Sequence, residues 1–553
     1  MLRTATYRHA GFRQITDRFY ADLLRMNPIA ASWLGEHAYD TLLPDVGAEA
    51  QEREIAFLRE MRDAFSALPE RELTLDERLD RCVVLQLTSH QLFHLEDLHR
   101  WKLGSDLARS LGDAIFVLFT RDFAPLAVRI ESIIARLKAA PIYLHAGRSL
   151  FQQVPPLWCD IFIESAERFP ALLDVIQTSI ENRVPLFLAD QFRKAAKTAR
   201  EAVLEHAHWF RHAIAPRANG SWSMGAGPFN ALLALRRLGL SAEELLDLGE
   251  QTLHKTNERI DTLAARIATS QTRPEAHARI REKAPKTFSH VLDAYRDAVA
   301  RSRAFVELND FATLPGEEML DVIETPSYLT HLIPFAAYAP PERAARPQKG
   351  CYMVTRPPEG EGLGRHNYAD ITNTSIHEGY PGHHLQFASQ NLHPGKMRIF
   401  ADSIELIEGW AHYCEEEAKR LGFEASDENL FVQAVDEAWR AARVLIDVNI
   451  QSGTWNFDQG VECLLKHTDM NRTAAEAELK WYSQAPGYPL SYLTGKHLLF
   501  KLKDELKNIF KADFTDKNFH DLVLREGSLP IFLGREFYPN MLRESLRARN
   551  AQG

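Results

Sequence analysis

Apolar residues return every three or four positions over residues 12–24, 127–137 and 242–262, while strand-like alternation is short and rare. Segments with that period fold as helices that each bury one stripe, so the chain is expected to be mainly α, with helices packed on helices. With 553 residues, 45% hydrophobic and 25% charged, it can bury a sizeable core and form more than one domain. The expected division is a helical N-terminal part over residues 1–340 and a helical, metal-bearing part over residues 341–553. No internal repeat or low-complexity tract competes with this reading.

The stretch with most potential chemistry is His377-Glu378-Gly379-Tyr380-Pro381-Gly382-His383-His384. Neutral imidazoles are the commonest metal ligands, and a glutamate directly after a ligating histidine is the general base of zinc peptidases. The spacing departs from the simple H-E-x-x-H pattern, because Pro381 occupies its fifth position. In a straight helix His383 would point about 120° away from His377, and His384 would sit roughly 10 Å farther along the axis. Neither could share an ion with His377. Proline removes a donor and clashes with the carbonyl four residues back, here that of His377, so the helix is expected to break and restart. Pro381 suits a first helical position, and Gly379 and Gly382 supply the backbone freedom. Such a turn is expected to swing His383 or His384 back toward His377. Two cleaner i, i+4 pairs, His90 with His94 and His208 with His212, lack the following glutamate. Among 22 histidines they read as ordinary surface or hydrogen-bonded residues.

A second segment, residues 404–421, reads as a helix stopped by Gly422. Ile404, Ile407, Ala411, Cys414, Ala418 and Leu421 fall on one arc, with Glu408 and Glu415 about 20° apart at its edge. A carboxylate bordering a buried face needs a cation, a metal or strong donors. A metal bound by two histidines would answer for Glu408; the plainer alternative is a solvated edge with Glu415 pairing Lys419 one turn on.

His-Glu followed by a histidine, then Glu408-Gly409-Trp410-Ala411 with Tyr413 and Glu415, resembles the gluzincin metallopeptidases. It is most similar to a bacterial family of that clan called domain of unknown function eight hundred eighty-five. Asn27-Pro28, Leu34-Gly35, Tyr39-Asp40 and Leu43-Pro44-Asp45 resemble the family's opening, and the stretches from Pro486 to Gly495 and from Gly527 to Pro530 resemble two later motifs. Gln451 stands where many relatives carry a histidine, so no role for that histidine carries over. The resemblance implies a zinc-dependent peptidase acting on peptides or oligopeptides. Zinc would be held by His377, His383 and Glu408, with His384 as the alternative second ligand and Glu378 as the general base. Glu415 is placed to orient a ligand imidazole. Tyr492 is the candidate donor to an oxyanion, with Tyr413 and Tyr488 as substitutes. Helical members of the clan enclose a deep channel, which implies a cleft walled on one side by the N-terminal part. A metal hydrolase of non-peptide amides or esters, or a helical binding protein without turnover, are the competing readings.

Residues 339–367 are rich in proline and glycine around a strand-like run at 350–355. Such a strand beside a catalytic helix could pair with an extended peptide, or be a small exposed hairpin. Arg343, Arg346 and Lys349 within it read as a solvated loop. Arg440, Arg443 and Asp447 share a helical face and read as an ion-pair network, although Arg440, Arg443 or Lys496 could meet a substrate carboxylate. A net charge of −10 and a pI near 6.1 argue against a nucleic-acid partner. No segment approaches about 18 uninterrupted apolar residues, so no membrane span is expected. The start lacks the apolar core of a signal peptide, which places the protein in the cytoplasm, although the family includes lipoproteins. Cys82, Cys159, Cys351, Cys414 and Cys463 are scattered and suit reduced thiols.

Overall fold

The computed structural model describes residues 7–326, 330, 333 and 335–550, with the side chains of 548–550 left aside. It is mainly α, as the periodicity predicts, with one three-stranded sheet among the described residues. The chain divides into two compact units, one ending at Trp222 and the next beginning at Ser223.

The first unit contains helices α1 (Ala10–Met26), α2 (Leu75–Leu92), α3 (Leu107–Thr120), α4 (Leu126–Ala146), α5 (Pro156–Ile180) and α6 (Leu186–Trp209). Leu111, Ile115, Ile130, Ile133, Leu137 and Phe192, from α3, α4 and α6, are fully buried and form its centre. The family-like opening has a structural role here. Pro28 starts a short helix, Gly35 ends it with φ 84°, and Asp40 accepts from Ser32 Oγ. Buried Arg136 reaches the Leu42 and Pro28 carbonyls and Ser32. A buried guanidinium persists only with its donors satisfied in this way.

The second unit begins with α7 (Ala242–Ile267) and α8 (Phe288–Leu308), followed by β1 (Glu318–Glu324), β2 (Ala336–Ala339) and β3 (Gln348–Val354). It continues through α9 (Tyr368–Glu378), α10 (His383–Gln390), α11 (Ile404–Arg420), α12 (Asp427–Ser452), α13 (Ser491–Phe510) and α14 (Asp516–Glu526). The boundary expected at residue 340 therefore falls inside this unit. α7 packs along α12 and α8 against α9. A Cβ on Gly249 of α7 would lie 2.9 Å from Leu445 of α12, so α7 and α8, although before residue 340, belong to the core that carries the histidines.

The run at 350–355 is β3, the middle strand: β1 pairs with it in parallel and β2 antiparallel. Both edges of β3 are taken, so it cannot itself accept another strand. The proline-rich segment is also less solvated than expected. Arg343 donates to the His393 and Gly395 carbonyls, and Lys349 pairs with Asp321 at 2.6 Å.

The helix expected at 404–421 is α11, but its burial is wider than a single arc. Trp410, His412, Tyr413, Glu415 and Glu417 are buried along with Ala411 and Cys414, whereas Leu421 is exposed. The cause is contact on several sides, with α13 on one and α9 and α10 on another. At the α11–α13 crossing, a Cβ on Gly409 would lie 2.5 Å from the Gly495 backbone, and one on Gly495 would overlap the Glu405 carbonyl. Two glycines thus permit backbone-to-backbone approach.

Candidate metal centre

The helix carrying His377 stops at Glu378 and a new one starts at His383. The proline does break it, but Pro381 lies ahead of the Gly382 N-cap rather than at a first helical position. Its carbonyl is used instead, accepting from Trp410 Nε1 at 2.9 Å. Gly382 donates to the Ile376 carbonyl at 3.1 Å, and a Cβ there would overlap the His377 carbonyl. The turn can fold this tightly only because residue 382 has no side chain.

The turn brings His383 against His377, with ring centroids 4.8 Å apart and planes 88° to one another. Glu408 of α11 completes the group, with one ligand atom from each residue within 4.8 Å of the others. Glu408 Oε2 lies 3.8 Å from His377 Nε2 and 3.5 Å from His383 Nε2. Each side chain is nine-tenths buried.

The remaining atom of each residue is held from outside. His377 Nδ1 meets Glu415 Oε1 at 2.7 Å, so Glu415 takes the orienting place expected for it rather than pairing Lys419. His383 Nδ1 lies 3.4 Å from Gln386 Oε1, and Glu408 Oε1 accepts from Tyr488 at 2.8 Å. Two Nε2 atoms and one Oε2 are left facing each other. That donor set fits a divalent ion such as zinc, and second partners of this kind fix ligand orientation. Electrostatics agree: burial alone would lower the His377 pKa, but the Glu408 and Glu415 carboxylates outweigh it and raise it to about 10. Burial likewise opposes ionisation of Glu408, yet His377 and His383 hold it well below the usual carboxylate range. The cluster favours positive charge at its centre.

Glu378 is half-buried at the end of α9 and has no hydrogen-bond or ion-pair partner among the described residues. Tyr492 is half-buried beside Tyr488, with ring centroids 6.1 Å apart. Burial, then the Glu408 charge, keeps its hydroxyl protonated. Tyr413 is elsewhere: its hydroxyl meets His520 at 2.7 Å in the core.

His384 is turned away from the cluster. Its Nε2 meets Glu318 Oε2 at 3.1 Å and its Nδ1 the Tyr338 hydroxyl at 3.1 Å. Glu318 also binds Tyr380 and, at 3.0 Å, Arg303. Tyr338 of β2 stacks across His383 at 6.5 Å, which puts the sheet beside the histidines. The pairs His90 with His94 and His208 with His212 form ring contacts at 4.7 and 4.4 Å, and neither enters a metal-type cluster among the described residues.

The ion-pair network expected of Arg440, Arg443 and Asp447 holds for the two arginines, which pair with other carboxylates, while Asp447 is held by backbone amides instead. Arg440 pairs with Asp436 at 3.2 Å and reaches Glu415 at 3.8 Å. Arg443 binds Tyr482 and Glu478 at 2.8 and 3.0 Å, and Asp447 accepts from the Gly487 and Leu490 amides. Lys496 is held by Glu416 and Glu437. Gln451 is buried and donates to the Tyr482 carbonyl.

Sequence reasoning missed Gln386 and Asn373. Asn373 donates to Glu415 at 3.2 Å and to Asp436 at 2.8 Å. It sits one turn before His377, so the i−4 spacing was the available signal. Gln386 is three residues after His383, a relation visible only once the restart of α10 is known.

A family described as "Bacterial protein of unknown function (DUF885)" matches residues 28–535. The chain belongs to that family. Comparison with curated proteins finds no match. A "putative lipoprotein of unknown function" from Shewanella oneidensis is 19% identical, with a TM-score of 0.79 over 96% of this chain and 100% of that one. A "putative lipoprotein" from Colwellia psychrerythraea is 16% identical, with a TM-score of 0.82 over 97% and 99% of the two chains. These structures share the fold. Their titles overturn the cytoplasmic placement, since lipoproteins are membrane-anchored through lipid, and that expectation is withdrawn. No helix among the described residues is long and apolar enough to cross a membrane.

Proposed function

We propose that this DUF885 protein is a zinc-dependent peptidase of the gluzincin type, acting on peptides or oligopeptides in the cell envelope. The observation that carries this reading is the convergence of His377 Nε2, His383 Nε2 and Glu408 Oε2, each fixed through its other polar atom. A zinc ion held by these three residues would supply Lewis-acid polarisation of a carbonyl and activation of water. The envelope location rests on the titles of the two similar structures.

The chain's own groups divide the remaining work. Glu378, adjacent to ligand His377 and without a hydrogen-bond or ion-pair partner among the described residues, is the base that takes a proton from water and passes it to the leaving amine. Tyr492, kept neutral by burial and by Glu408, donates a hydrogen bond to the developing oxyanion. Strand β2, which among the described residues pairs only with β3, offers its other edge to an extended peptide, next to His383 through Tyr338. A substrate held by its backbone would be read loosely in sequence.

Glu378→Gln tests the assignment. The variant should keep about one zinc per chain and lose peptide hydrolysis by at least 100-fold. Hydrolysis unchanged in Glu378→Gln would remove the peptidase reading.

A further inference from the structure

The turn that presents Tyr488 to Glu408 is held from two sides. On one side, Asp447 Oδ1 and Oδ2 accept from the amides of Gly487 and Leu490 at 3.1 and 3.2 Å. On the other stands Arg236, the last residue of the helix Ala226–Arg236. It donates to the Gly487 carbonyl at 2.6 Å and to Ser491 Oγ at 2.9 Å. Its guanidinium also pairs with Glu405 Oε1 at 2.5 Å. Glu405 lies three residues before Glu408, one turn away on α11. The pair is buried, with 11% and 6% of the two side chains exposed. Gly487 has φ 79°, and a Cβ there would overlap the guanidinium, so the turn is shaped around Arg236.

We infer that Arg236 is a positioning residue for the metal centre: by tying residues 487–491 to Glu405 it fixes where the Tyr488 hydroxyl meets Glu408. Planar, forked donors suit this, because one guanidinium can bind a carbonyl, a hydroxyl and a carboxylate in one fixed geometry. Asp447 holds the amides of the turn, whereas Arg236 ties its Gly487 carbonyl and Ser491 hydroxyl to the Glu405 carboxylate of α11. The consequence lies in the ligand carboxylate. With Tyr488 in place, Glu408 keeps Oε1 occupied and Oε2 turned toward the two imidazoles. With the clamp cut, Tyr488 loses its set height and Glu408 gains rotational freedom, which weakens the donor set without removing a donor.

This inference rests on the proposed metal site, and its test separates the two. Zinc affinity is measured by competition with a chromogenic chelator, and the visible absorption of the cobalt-substituted full chain is recorded. Both are done for the wild type, Arg236→Gln, Tyr488→Phe and the double variant. Arg236→Gln should weaken zinc about 10-fold and shift the cobalt band, as should Tyr488→Phe, and the double variant should bind no more weakly than Tyr488→Phe alone. Arg236→Lys should restore part of the band. Wild-type affinity in Arg236→Gln, or a loss that adds in full to that of Tyr488→Phe, overturns the clamp while leaving the site intact. A wild-type chain that takes up no zinc defeats the site reading itself. Should Arg236→Gln fail to fold by circular dichroism, Glu405→Gln removes the carboxylate charge that Arg236 meets on α11. It should weaken zinc about threefold, again with no further loss in the Tyr488→Phe background, and unchanged affinity overturns the inference.

Discussion

Two adjacent imidazoles on α10 have opposite surroundings. His384 is completely enclosed: both ring nitrogens are engaged, and its partner Glu318 is shared with Arg303 and Tyr380. His383 has one nitrogen near Gln386 and the other facing His377 and Glu408, with about a tenth of its side chain exposed. Both meet a carboxylate, so the presence of a histidine–glutamate contact does not distinguish a structural pair from a ligand pair. What separates them is whether the donor atoms are all satisfied by protein or several are left converging on one point.

The largest effect expected from this contrast is on metal content. His383→Ala should abolish zinc retention after dialysis, whereas His384→Ala should retain about one ion per chain, as read by elemental mass spectrometry. Loss of zinc in both, with both folded, would erase the distinction.

Stability should show the reverse order. Glu318→Gln removes a buried carboxylate from Arg303, Tyr380 and His384 and should cost about 3–5 kcal/mol in urea unfolding. Arg303 would keep only its Glu307 partner, and no carboxylate would remain between Tyr380 and His384. A loss under about 1 kcal/mol would mean that the enclosed network contributes little to stability.

A third buried imidazole sharpens the comparison by lacking a direct carboxylate partner among the described residues. His520 meets the Phe311 carbonyl and the Tyr413 hydroxyl, and burial pushes its pKa down from 6.5 to about 4. Its folded pKa lies below its unfolded one. The stability it contributes is therefore present above pH 6.5 and lost as pH falls toward 4, on the order of 3 kcal/mol. Unfolding free energy measured between pH 7 and 4 should fall more steeply in the wild type than in His520→Asn. Parallel slopes would contradict it.

The smallest effect concerns Glu415, which touches no ligand face of the site and acts through His377 Nδ1. Glu415→Gln should weaken zinc about 10-fold while leaving the stoichiometry at one. Equal affinity in the two proteins would reduce Glu415 to a structural partner of Arg440 and Asn373.

Much of this arrangement was legible in the sequence because it depends on local rules. Helical period placed α1, α4 and α7, proline and glycine marked the break after Glu378, and spacing put Glu408 and Glu415 on one edge of α11. The choice between His383 and His384 was not legible, since it depends on how tightly residues 379–382 turn. That turn is set by contacts of Gly382 and Pro381 with Ile376, His377 and Trp410. The unit boundary at Trp222 was missed for a related reason. No composition change marks it, and the packing of α7 on α12 joins residues nearly two hundred positions apart. Arg236 is similarly distant from Glu405 and farther still from Gly487, and no short-range pattern announces such a clamp.

The crossing of Gly409 and Gly495 settles a question of tolerance. Glu408 belongs to one helix and Tyr492 to the other, and at their meeting point main chain lies on main chain with no rotamer between them. The relative height of ligand and tyrosine is thus registered like two ratchet teeth rather than cushioned by side chains. Neighbouring apolar residues can be exchanged and repacked without shifting that registration. A single added methyl at either glycine would slip it, disarming the centre while every one of its polar groups remained in the chain.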